Sequence, residues 1–525
     1  MRPKCLVLAI LDGWGVAPPS SGNAISQAQT PHFNAFIRDY PAMTLQASGE
    51  AVGLPWGEAG NSEVGHMAVG SGLIIYRAFS RINKAISDES FFQNPVLLEA
   101  INYVRKNKSR LHLIGLIGSG GVHSHQDHLY ALLELARRES VEEVYVHAIL
   151  DGRDAPYNAG ADAMVKLEEK MSELGVGKIA SAIGRFYAMD RDRHWDRISQ
   201  AYGVMTKGEA ESYAATASEA IKQYYKNGIY DEEMPGIVVG TRSSPTAVIS
   251  FGDAIVLFNF RADRMRELTA ALADPAFAQF PLSAEFKNVY FVTMAEYDEE
   301  LPVHVAFKRE HVSNPVAKVV SDNGLKQLHI AETEKYAHVT YFFNCGIEKT
   351  FLGEEHVLIQ SPRVTSYIDA PAMSAVAIAE RVVKEILAES YDFIVVNFAN
   401  ADMVGHTGNM DATIKAIEVL DQLLGQIADA VLAKEDMLLI TSDHGNAEIV
   451  INHQTGEIDK EHNLSPVPFI AIANKLRGKT AGLSDTVGAD LSLRKPDGVL
   501  ADVAPTILKI LELPIPPEMT GNHLL

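Results

Sequence analysis

The stretch that decides the fold is CLVLAILD at residues 5–12, an unbroken apolar run followed by an aspartate. A run of this kind, with no alternation of polar residues, is typical of a strand buried on both faces of a parallel sheet. Further apolar runs occupy residues 111–117, 144–150, 179–183, 254–258, 289–294, 393–398 and 437–440. Helical periodicity lies between them, at residues 127–138, 374–387 and 411–432. Strands that alternate with helices predict an α/β fold with doubly wound sheets.

Composition limits the class of protein. A chain of 525 residues is too long for one ordinary core, so at least two domains are expected. The net charge of -21 argues against nucleic acid or an anionic membrane as partner, because surface Lys and Arg bind both. The sequence contains neither a membrane-spanning apolar stretch nor the pattern of a signal peptide. Two cysteines, Cys5 and Cys345, fit a reducing compartment and predict a cytoplasmic protein.

Residue types that bind metals follow the first run and the last two runs. They are Asp12, then Asp402 and His406, then Asp443 and His444, with His462 further along the chain. One aspartate after a strand is more often a turn or a helix cap, so the prediction rests on the whole set. Mixed carboxylate and imidazole ligands suit divalent ions such as manganese or zinc. Two such ions can clamp the attacking and leaving oxygens of a phosphoryl displacement, which favours phosphoryl transfer.

Residue types that bind anions follow the runs in the middle of the chain. They are His123, Arg153, Asp154, Arg185, Arg191, Arg261 and Arg264. The planar guanidinium grips carboxylate and phosphate at two points, so a small substrate that carries both groups would need several arginines. Asp154 is the candidate for proton transfer with substrate hydroxyls, and a salt bridge to a neighbouring arginine is the alternative.

The anion-binding block lies between two metal-binding blocks, which predicts one domain inserted into another. The expected division assigns residues 1–77 and 310–525 to the first domain and residues 78–309 to the insertion. The glycine-rich loop at residues 118–125 lacks the G-x-G-x-x-G spacing of a dinucleotide site. The predicted anionic ligand is therefore small and is not a dinucleotide.

Ser62 is the candidate nucleophile. It lies in GNSEVGH at residues 60–66, where a glycine-flanked turn could place the hydroxyl at the start of a helix. An ordinary helix cap is the alternative for any single serine of this kind. A serine hydroxyl also needs a base or a metal to become nucleophilic, so this interpretation depends on the metal ligands.

Taken together, these motifs resemble the cofactor-independent phosphoglycerate mutases, metalloenzymes related to the alkaline phosphatases. The matching stretches are LDGWG at 11–15, NSEVGH at 61–66, GGVHSH at 120–125, DGRD at 151–154, AMDRD at 188–192, NFRADR at 259–264, ETEKYAHV at 332–339, DHGNAE at 443–448 and PVP at 466–468 behind His462. Two positions depart from the family pattern. Ser119 stands where aspartate is usual, and Cys345 stands where glycine is usual.

The resemblance implies an alkaline-phosphatase-like metal-binding domain, residues 1–77 with 310–525, and an inserted α/β transferase domain, residues 78–309, that closes over the substrate. It implies two divalent ions, with manganese preferred and magnesium or cobalt as alternatives. One ion would be bound by Asp402, His406 and His462, and the other by Asp12, Ser62, Asp443 and His444. The glycerate would be bound by His123, Arg153, Asp154, Arg185 and Arg191, and the phosphate by Arg261, Arg264 and Lys335.

The implied reaction interconverts 3-phosphoglycerate and 2-phosphoglycerate in glycolysis and gluconeogenesis. It would proceed in a monomer, without 2,3-bisphosphoglycerate, through a phosphoserine at Ser62 with Asp154 and Lys335 as further catalytic residues. Another phosphomutase or a phosphatase of the same superfamily is the alternative, against which the long insertion with its arginines argues. A metal-dependent binding protein without catalysis is the alternative from another class, and the presence of Ser62 among complete ligand positions argues against it.

Overall fold

The computed structural model describes residues 2–282, 289–452, 454–479 and 490–525. The chain divides into two compact units, Met1–Arg77 with Glu310–Leu525 and Ala78–Arg309. We call the first the discontinuous unit and the second the inserted unit. Among the described residues, no helix is both long enough and apolar enough to cross a membrane.

The strands and helices of the described residues are numbered here in chain order. The strands are β1 (Leu6–Leu11), β2 (Ala42–Gln46), β3 (Leu111–Ile117), β4 (Val144–Leu150), β5 (Lys178–Gly184), β6 (Ser212–Ala214), β7 (Ile237–Thr241), β8 (Ser244–Pro245), β9 (Ala254–Leu257), β10 (Tyr290–Ala295), β11 (His304–Phe307), β12 (Gln327–Glu332), β13 (Glu354–Ile359), β14 (Phe393–Phe398), β15 (Met437–Thr441), β16 (Val467–Ile472) and β17 (Gly498–Val499). The α-helices are α1 (Ala24–Gln27), α2 (Pro31–Asp39), α3 (Ser62–Ser71), α4 (Ala78–Ser87), α5 (Pro95–Asn107), α6 (Gln126–Arg138), α7 (Gly160–Leu174), α8 (Arg185–Ala188), α9 (Trp195–Lys207), α10 (Ala217–Lys226), α11 (Arg266–Ala273), α12 (Val316–Asp322), α13 (Ala375–Leu387), α14 (Asn400–Gly405), α15 (Met410–Ala433) and α16 (Val503–Ile510).

The sheet of the discontinuous unit has the order β13-β12-β14-β1-β15-β16-β2-β17 within the described residues. Its central strand, β1, pairs in parallel with β14 and with β15. Leu8 and Ile10 belong to one core cluster of this unit, and Val7 and Ala9 belong to another. Successive side chains of a strand point to opposite faces, so β1 is buried on both faces. This burial explains why its sequence is apolar without alternation.

The sheet of the inserted unit has the order β11-β10-β9-β3-β4-β5-β7-β6 within the described residues, and β8 pairs with β7. The pairs from β11 to β5 are parallel, whereas β5 with β7 and β7 with β8 are antiparallel. One large core cluster extends from Ile82 to Phe307, and a small second cluster consists of Tyr145, Ala180 and Ala247. The predicted α/β class is therefore confirmed in both units.

The sheets are mixed rather than wholly parallel. In the discontinuous unit β16 is antiparallel to both β15 and β2. The strand contains Pro468, which normally argues against a central strand because proline has no N–H to donate. Here the ladder with β15 begins at Phe469, so Pro468 lies beyond its end. The edge strand β13 was also unpredicted, because its sequence EEHVLI is half polar and only partly buried.

Candidate active site

The sheet order brings the three carboxylates of the predicted metal ligands to one edge. Asp12 follows β1, Asp402 lies in α14 after β14, and Asp443 comes two residues after β15. These three strands are adjacent and parallel, so their carboxyl ends lie together. Gly13, with φ of 74°, lets the chain pass Asp402 closely, because an added Cβ would lie 2.7 Å from its Cα. All three carboxylates are buried.

Two groups of three side chains at this edge have the composition of metal sites. Within each group, one ligand atom from each residue lies within 4.8 Å of the others. The first group is Asp402, His406 and His462, and the second group is Asp12, Asp443 and His444.

In the first group, backbone carbonyls set the orientation of both imidazole rings. The Nδ1 atom of His406 lies 2.5 Å from the carbonyl oxygen of Lys460, and that of His462 lies 3.0 Å from the carbonyl oxygen of Gly60. Each Nδ1 therefore carries the proton, and each Nε2 keeps a lone pair. The two Nε2 atoms are 3.1 Å apart and each lies 3.2 Å from Oδ1 of Asp402. The two Nε2 atoms and the carboxylate oxygen are thus three acceptors that lie close together, an arrangement that suits a bound cation.

In the second group, the imidazole of His444 lies among carboxylates. Its Nδ1 is 3.3 Å from the carbonyl oxygen of Gly445, and its Nε2 is 3.5 Å from Oδ1 of Asp12 and 3.6 Å from Oδ2 of Asp443. Burial would lower the pKa of His444, but attraction to Asp443 and a hydrogen bond to Asp12 raise the pKa to about 9. The surroundings of this ring thus favour a positive charge, as expected at a cation site.

Ser62 is the first residue of α3, and its hydroxyl is not used to cap the helix. The cap is Asn61, whose side-chain oxygen accepts a hydrogen bond from the N–H of Val64 at 3.1 Å. The Ser62 hydroxyl instead faces the second group, with Oγ 3.2 Å from Oδ1 of Asp12 and 3.0 Å from Nε2 of His444.

Gly65 lets the nucleophile helix approach the second group. A Cβ at this position would lie 2.5 Å from the carbonyl oxygen and 2.7 Å from the Cβ of Asp443, which real Cβ atoms do not do. The helix α3 therefore packs directly against the chain that carries Asp443.

Lys335 lies between the two groups. It ends a 3-10 turn, Thr333–Lys335, that follows β12, and its ammonium lies 2.6 Å from Oδ1 of Asp12 and 2.6 Å from Oδ2 of Asp402. The same nitrogen is 2.7 Å from Oγ of Ser62. Burial would lower the pKa of Lys335, but the two aspartates raise it above its ordinary value. The side chain is therefore a buried cation in contact with the candidate nucleophile.

Ser62, Lys335 and the first group line a cleft of about 450 Å³ in the discontinuous unit. This volume falls in the usual range for a small-molecule site. The lining residues are Asn61, Ser62, Glu63, Arg77, Glu334, Lys335, His338, Asp402, Met403, His406 and His462.

The predicted anion-binding residues form a cluster in the inserted unit. Arg185 is buried, and its Nη1 donates hydrogen bonds at 2.6 Å to Asp151 and at 2.6 Å to Asp154. The Nε2 atom of His123 lies 3.9 Å from Oδ2 of Asp154. Arg153 is more exposed and pairs with Glu232 at 3.5 Å.

Asp263 joins the remaining members of this cluster. Its carboxylate lies 3.1 Å from Nη1 of Arg191, 3.2 Å from Nε of Arg261 and 3.6 Å from Nδ1 of His123. Burial and the nearby charges of Arg191, Arg185 and Arg153 lower the pKa of Arg264. The cluster therefore concentrates positive charge in a protein whose net charge is negative.

The structure thus gathers the predicted residues into two sets, one in each unit. Sequence reasoning missed several polar residues that hold them. Asp151, Asp263 and His66 lie inside the motifs DGRD, NFRADR and NSEVGH, which signal them only weakly. Asn446, which donates a hydrogen bond to Asp402, lies inside the motif DHGNAE, whereas Asn397, which donates to Asp12, carries no sequence signal of this role.

A third group of metal-type side chains, His329, Glu354 and His356, lies outside this site. The carboxylate of Glu354 already accepts hydrogen bonds from His356 and Asn344 on Oε1 and from the N–H of Phe351 on Oε2. Both oxygens therefore have partners without a cation.

The two departures from the family pattern lie outside both sets. Ser119 is exposed in the loop after β3. Cys345 has φ of 57°, in the left-handed region that favours glycine.

Comparison with known proteins places both units in one family. The family model described as BPG-independent PGAM N-terminus matches residues 82–299, and the one described as type I phosphodiesterase / nucleotide pyrophosphatase matches residues 319–503. The 2,3-bisphosphoglycerate-independent phosphoglycerate mutase of Clostridium beijerinckii is 47% identical over 526 residues, covering 100% of this chain and 99% of the relative. The enzyme of the same name from Chloroflexus aurantiacus is 46% identical and covers 100% of this chain and 99% of its own length. The one from Moorella thermoacetica is also 46% identical and covers 99% of this chain and 98% of its own length.

A solved structure agrees with these relatives. The crystal structure of Leishmania mexicana phosphoglycerate mutase at low cobalt concentration matches with a TM-score of 0.51 and 28% identity, covering 99% of this chain and 97% of that chain. The resemblance seen in the motifs is thereby confirmed along the whole sequence. The chain belongs to the 2,3-bisphosphoglycerate-independent phosphoglycerate mutases, enzymes of the alkaline phosphatase superfamily.

Proposed function

We propose that this phosphoglycerate mutase transfers the phosphoryl group between the 3-oxygen and the 2-oxygen of one glycerate through a phosphoserine at Ser62. The observation that carries the proposal is the position of the Ser62 hydroxyl. Its Oγ lies 2.7 Å from the buried ammonium of Lys335 and 3.2 Å from Asp12, beside a cleft of substrate size. A nucleophile next to a fixed positive charge is suited to attack on a phosphate ester.

The proposed reaction has two halves that mirror each other. In the first half, Ser62 Oγ attacks as an alkoxide, its proton having passed to solvent before the cycle, and bonds to phosphorus. The bond from phosphorus to the 3-oxygen breaks, and Asp154 gives that oxygen a proton. In the second half, the 2-oxygen gives its proton to Asp154 and takes the phosphoryl group from Ser62. Lys335 offsets the negative charge on the transferring group in both halves.

The two ligand groups are proposed to bind two divalent ions. When bound, such ions supply Lewis-acid chemistry: they lower the pKa of the attacking hydroxyl and offset charge on the phosphoryl oxygens. The converging lone pairs of His406 and His462 at Asp402 support one ion, and the aspartates around His444 support the other. We propose manganese, with magnesium or cobalt as alternatives, because mixed carboxylate and imidazole ligands suit such borderline ions.

The cluster of the inserted unit is proposed to bind the substrate. His123, Arg153, Asp154, Arg185 and Arg191 would bind the glycerate, and Arg261 and Arg264 would bind the phosphate together with Lys335. The support is chemical, because the paired guanidinium groups match the carboxylate and the phosphate of phosphoglycerate. Asp154 contacts Arg185 at 2.6 Å, which holds it among these groups.

We also propose a cytoplasmic monomer with phosphoglycerate as its partner and with neither nucleic acid nor membrane as a partner. Both cysteines are free, which suits a reducing compartment. The formal charge of -21 opposes binding to polyanions. Light scattering of the purified chain measures the oligomeric state directly.

The experiment that tests the function compares two serine variants of one helix. Ser62→Ala should abolish conversion of 3-phosphoglycerate while manganese binding stays partly intact. Ser71→Ala is the matched control, because Ser71 is buried in the same helix and its hydroxyl bonds to the carbonyl oxygen of Leu73. Full conversion by the Ser62→Ala protein would overturn the proposal, and so would an equal loss in both variants.

A further inference from the structure

His66 lies next to the second metal group, and the proposed reaction does not use it. His66 is fully buried, one helical turn after Ser62 in α3. Its Nδ1 lies 2.8 Å from the carbonyl oxygen of Ser62 and 3.2 Å from Oδ2 of Asp443. The carbonyl oxygen is an acceptor, so Nδ1 carries the proton and donates it to Ser62, while Oδ2 of Asp443 lies within ion-pair distance of the same nitrogen. The other ring nitrogen, Nε2, is then an acceptor.

Asn397 meets that acceptor from the neighbouring strand. Its Nδ2 lies 3.0 Å from Nε2 of His66 and 2.8 Å from Oδ2 of Asp12. The amide nitrogen has two hydrogens, and these two acceptors account for both. The result is a chain of close polar contacts from Asp443 through His66 and Asn397 to Asp12, in which the links made by Asn397 are hydrogen bonds. We call these four residues the relay.

The relay joins the two carboxylates of one metal group and attaches them to the nucleophile helix. It engages Oδ2 of Asp12, which leaves Oδ1 to face the Ser62 hydroxyl at 3.2 Å. On the other side, Oδ1 of Asp443 accepts from the N–H groups of Gly13 and His444, and Oδ2 faces His66. Each of the two carboxylates therefore has its Oδ2 atom held by a middle member of the relay.

We propose that His66 and Asn397 are positioning residues that set the metal affinity of the group Asp12, Asp443 and His444. This inference rests on the proposed two-metal function. Residues that hydrogen-bond to metal ligands hold them in geometry, and their removal typically costs about 10–100-fold in affinity. A role in packing alone does not explain why every polar atom of the ring faces a polar partner.

The first metal group is held differently, which makes the effect selective. Oδ1 of Asp402 accepts a hydrogen bond from Nδ2 of Asn446 at 2.8 Å, and its two histidines are held by backbone carbonyls. None of the contacts that form the relay involves Asp402, His406 or His462. Loss of the relay should therefore weaken one ion and spare the other.

The test is a calorimetric titration of the metal-free full chain with manganese. In a His406→Ala background, which removes a ligand of the first group, the titration reports the relay's group alone. There we expect His66→Ala and Asn397→Ala each to weaken binding about 10–100-fold. The double variant should be no weaker than the stronger single variant, because either change breaks the same chain of polar contacts.

Two further variants separate positioning from folding. His66→Asn keeps a donor near the position of Nδ1 and should recover part of the affinity, whereas a role in packing predicts no recovery. Asn446→Ala should weaken the first group and leave the relay's group unchanged. If His66→Ala does not fold, Asn397→Ala tests the same relay with the ring in place.

The outcomes distinguish the inference from the function on which it rests. If the unmodified chain binds no manganese, the two-metal proposal fails. If it binds two ions and the relay variants weaken both equally, or neither, the positioning role of His66 and Asn397 is overturned.

Discussion

Replacing Lys335 by methionine removes one positive charge from among buried carboxylates and keeps most of the side-chain volume. The lost ammonium lies 2.6 Å from Asp12 and 2.6 Å from Asp402, in a site with almost no solvent exposure. Removing one partner of a buried ion pair typically costs about 3–5 kcal/mol, because the other charge is left uncompensated. We expect the metal-free Lys335→Met protein to lose about this much of its unfolding free energy, or roughly 5–8 °C in Tm for a unit of about 290 residues.

Manganese should separate the two roles of Lys335. Divalent ions would bring positive charge to the same aspartates, so the stability deficit of Lys335→Met should shrink when manganese is added. The catalytic deficit should remain, because the ammonium no longer offsets charge on the transferring phosphoryl group. We expect a fall of about 10²–10³-fold in kcat, as for loss of one preorganised donor.

The assay is thermal unfolding with and without manganese, combined with steady-state rates on 3-phosphoglycerate. Lys318→Met is the matched control, because its ammonium pairs with Asp322 at 2.7 Å on the surface and should contribute less than about 1 kcal/mol. An equal loss of stability with and without manganese would refute the reasoning, and so would a metal-free Lys335→Met protein as stable as the parent.

Three other outcomes can be measured on the same preparations. Cys345 is half-buried, and its surroundings raise the pKa of the thiol to about 12, so at pH 8 its alkylation should be slower than that of a free cysteine and should speed up as pH rises. Alkylation is followed by peptide mass spectrometry, and a rate at pH 8 equal to that of a free cysteine would contradict the raised pKa. Arg191→Ala should lower kcat/KM for 3-phosphoglycerate about 10–100-fold and leave manganese affinity unchanged. Arg242→Ala, at an exposed turn, is the control and should change neither quantity. Equal kinetic effects of the two variants would count against substrate binding by the anion cluster. Removal of divalent ions by a chelator should abolish isomerisation. Added manganese should restore the activity, whereas added 2,3-bisphosphoglycerate should not. Undiminished activity in the chelated protein would rule out the metal dependence.

Much of the fold was accessible from the sequence because the decisive strands are buried on both faces. The runs at 111–117, 144–150 and 393–398 match β3, β4 and β14 residue for residue. The strand β12 was missed because its sequence QLHIAE breaks the apolar pattern with polar side chains that are buried through tertiary hydrogen bonds. Lys335 follows that strand, so its place beside the nucleophile was inferred only from family resemblance.

Asp12, Asp402 and Asp443 were predicted as ligands because each stands just after an apolar run, at the end of a parallel strand where sites usually form. His406 and His444 follow two of these aspartates closely, whereas His462 follows no such run. The residues that hold these side chains in place were not predictable from the sequence. His66 lies four residues after Ser62, a spacing that predicts one helix face, but its contact with Asp443 depends on how two distant segments pack. Asn397 lies inside a strand and gives no pattern at all. Hydrogen-bond partners of this kind are set by tertiary structure rather than by local sequence.

The measurement that tests the central claim most directly is chemical quenching of the enzyme during turnover, followed by peptide mass spectrometry. The account predicts that a phosphoryl group is found on Ser62, that it appears and decays at rates compatible with turnover, and that it is absent from the Ser62→Ala protein. The phosphate should also stay with its own glycerate when labelled and unlabelled substrates are mixed. Full turnover with no phosphate on Ser62, or free exchange of labelled phosphate between glycerates, would contradict it.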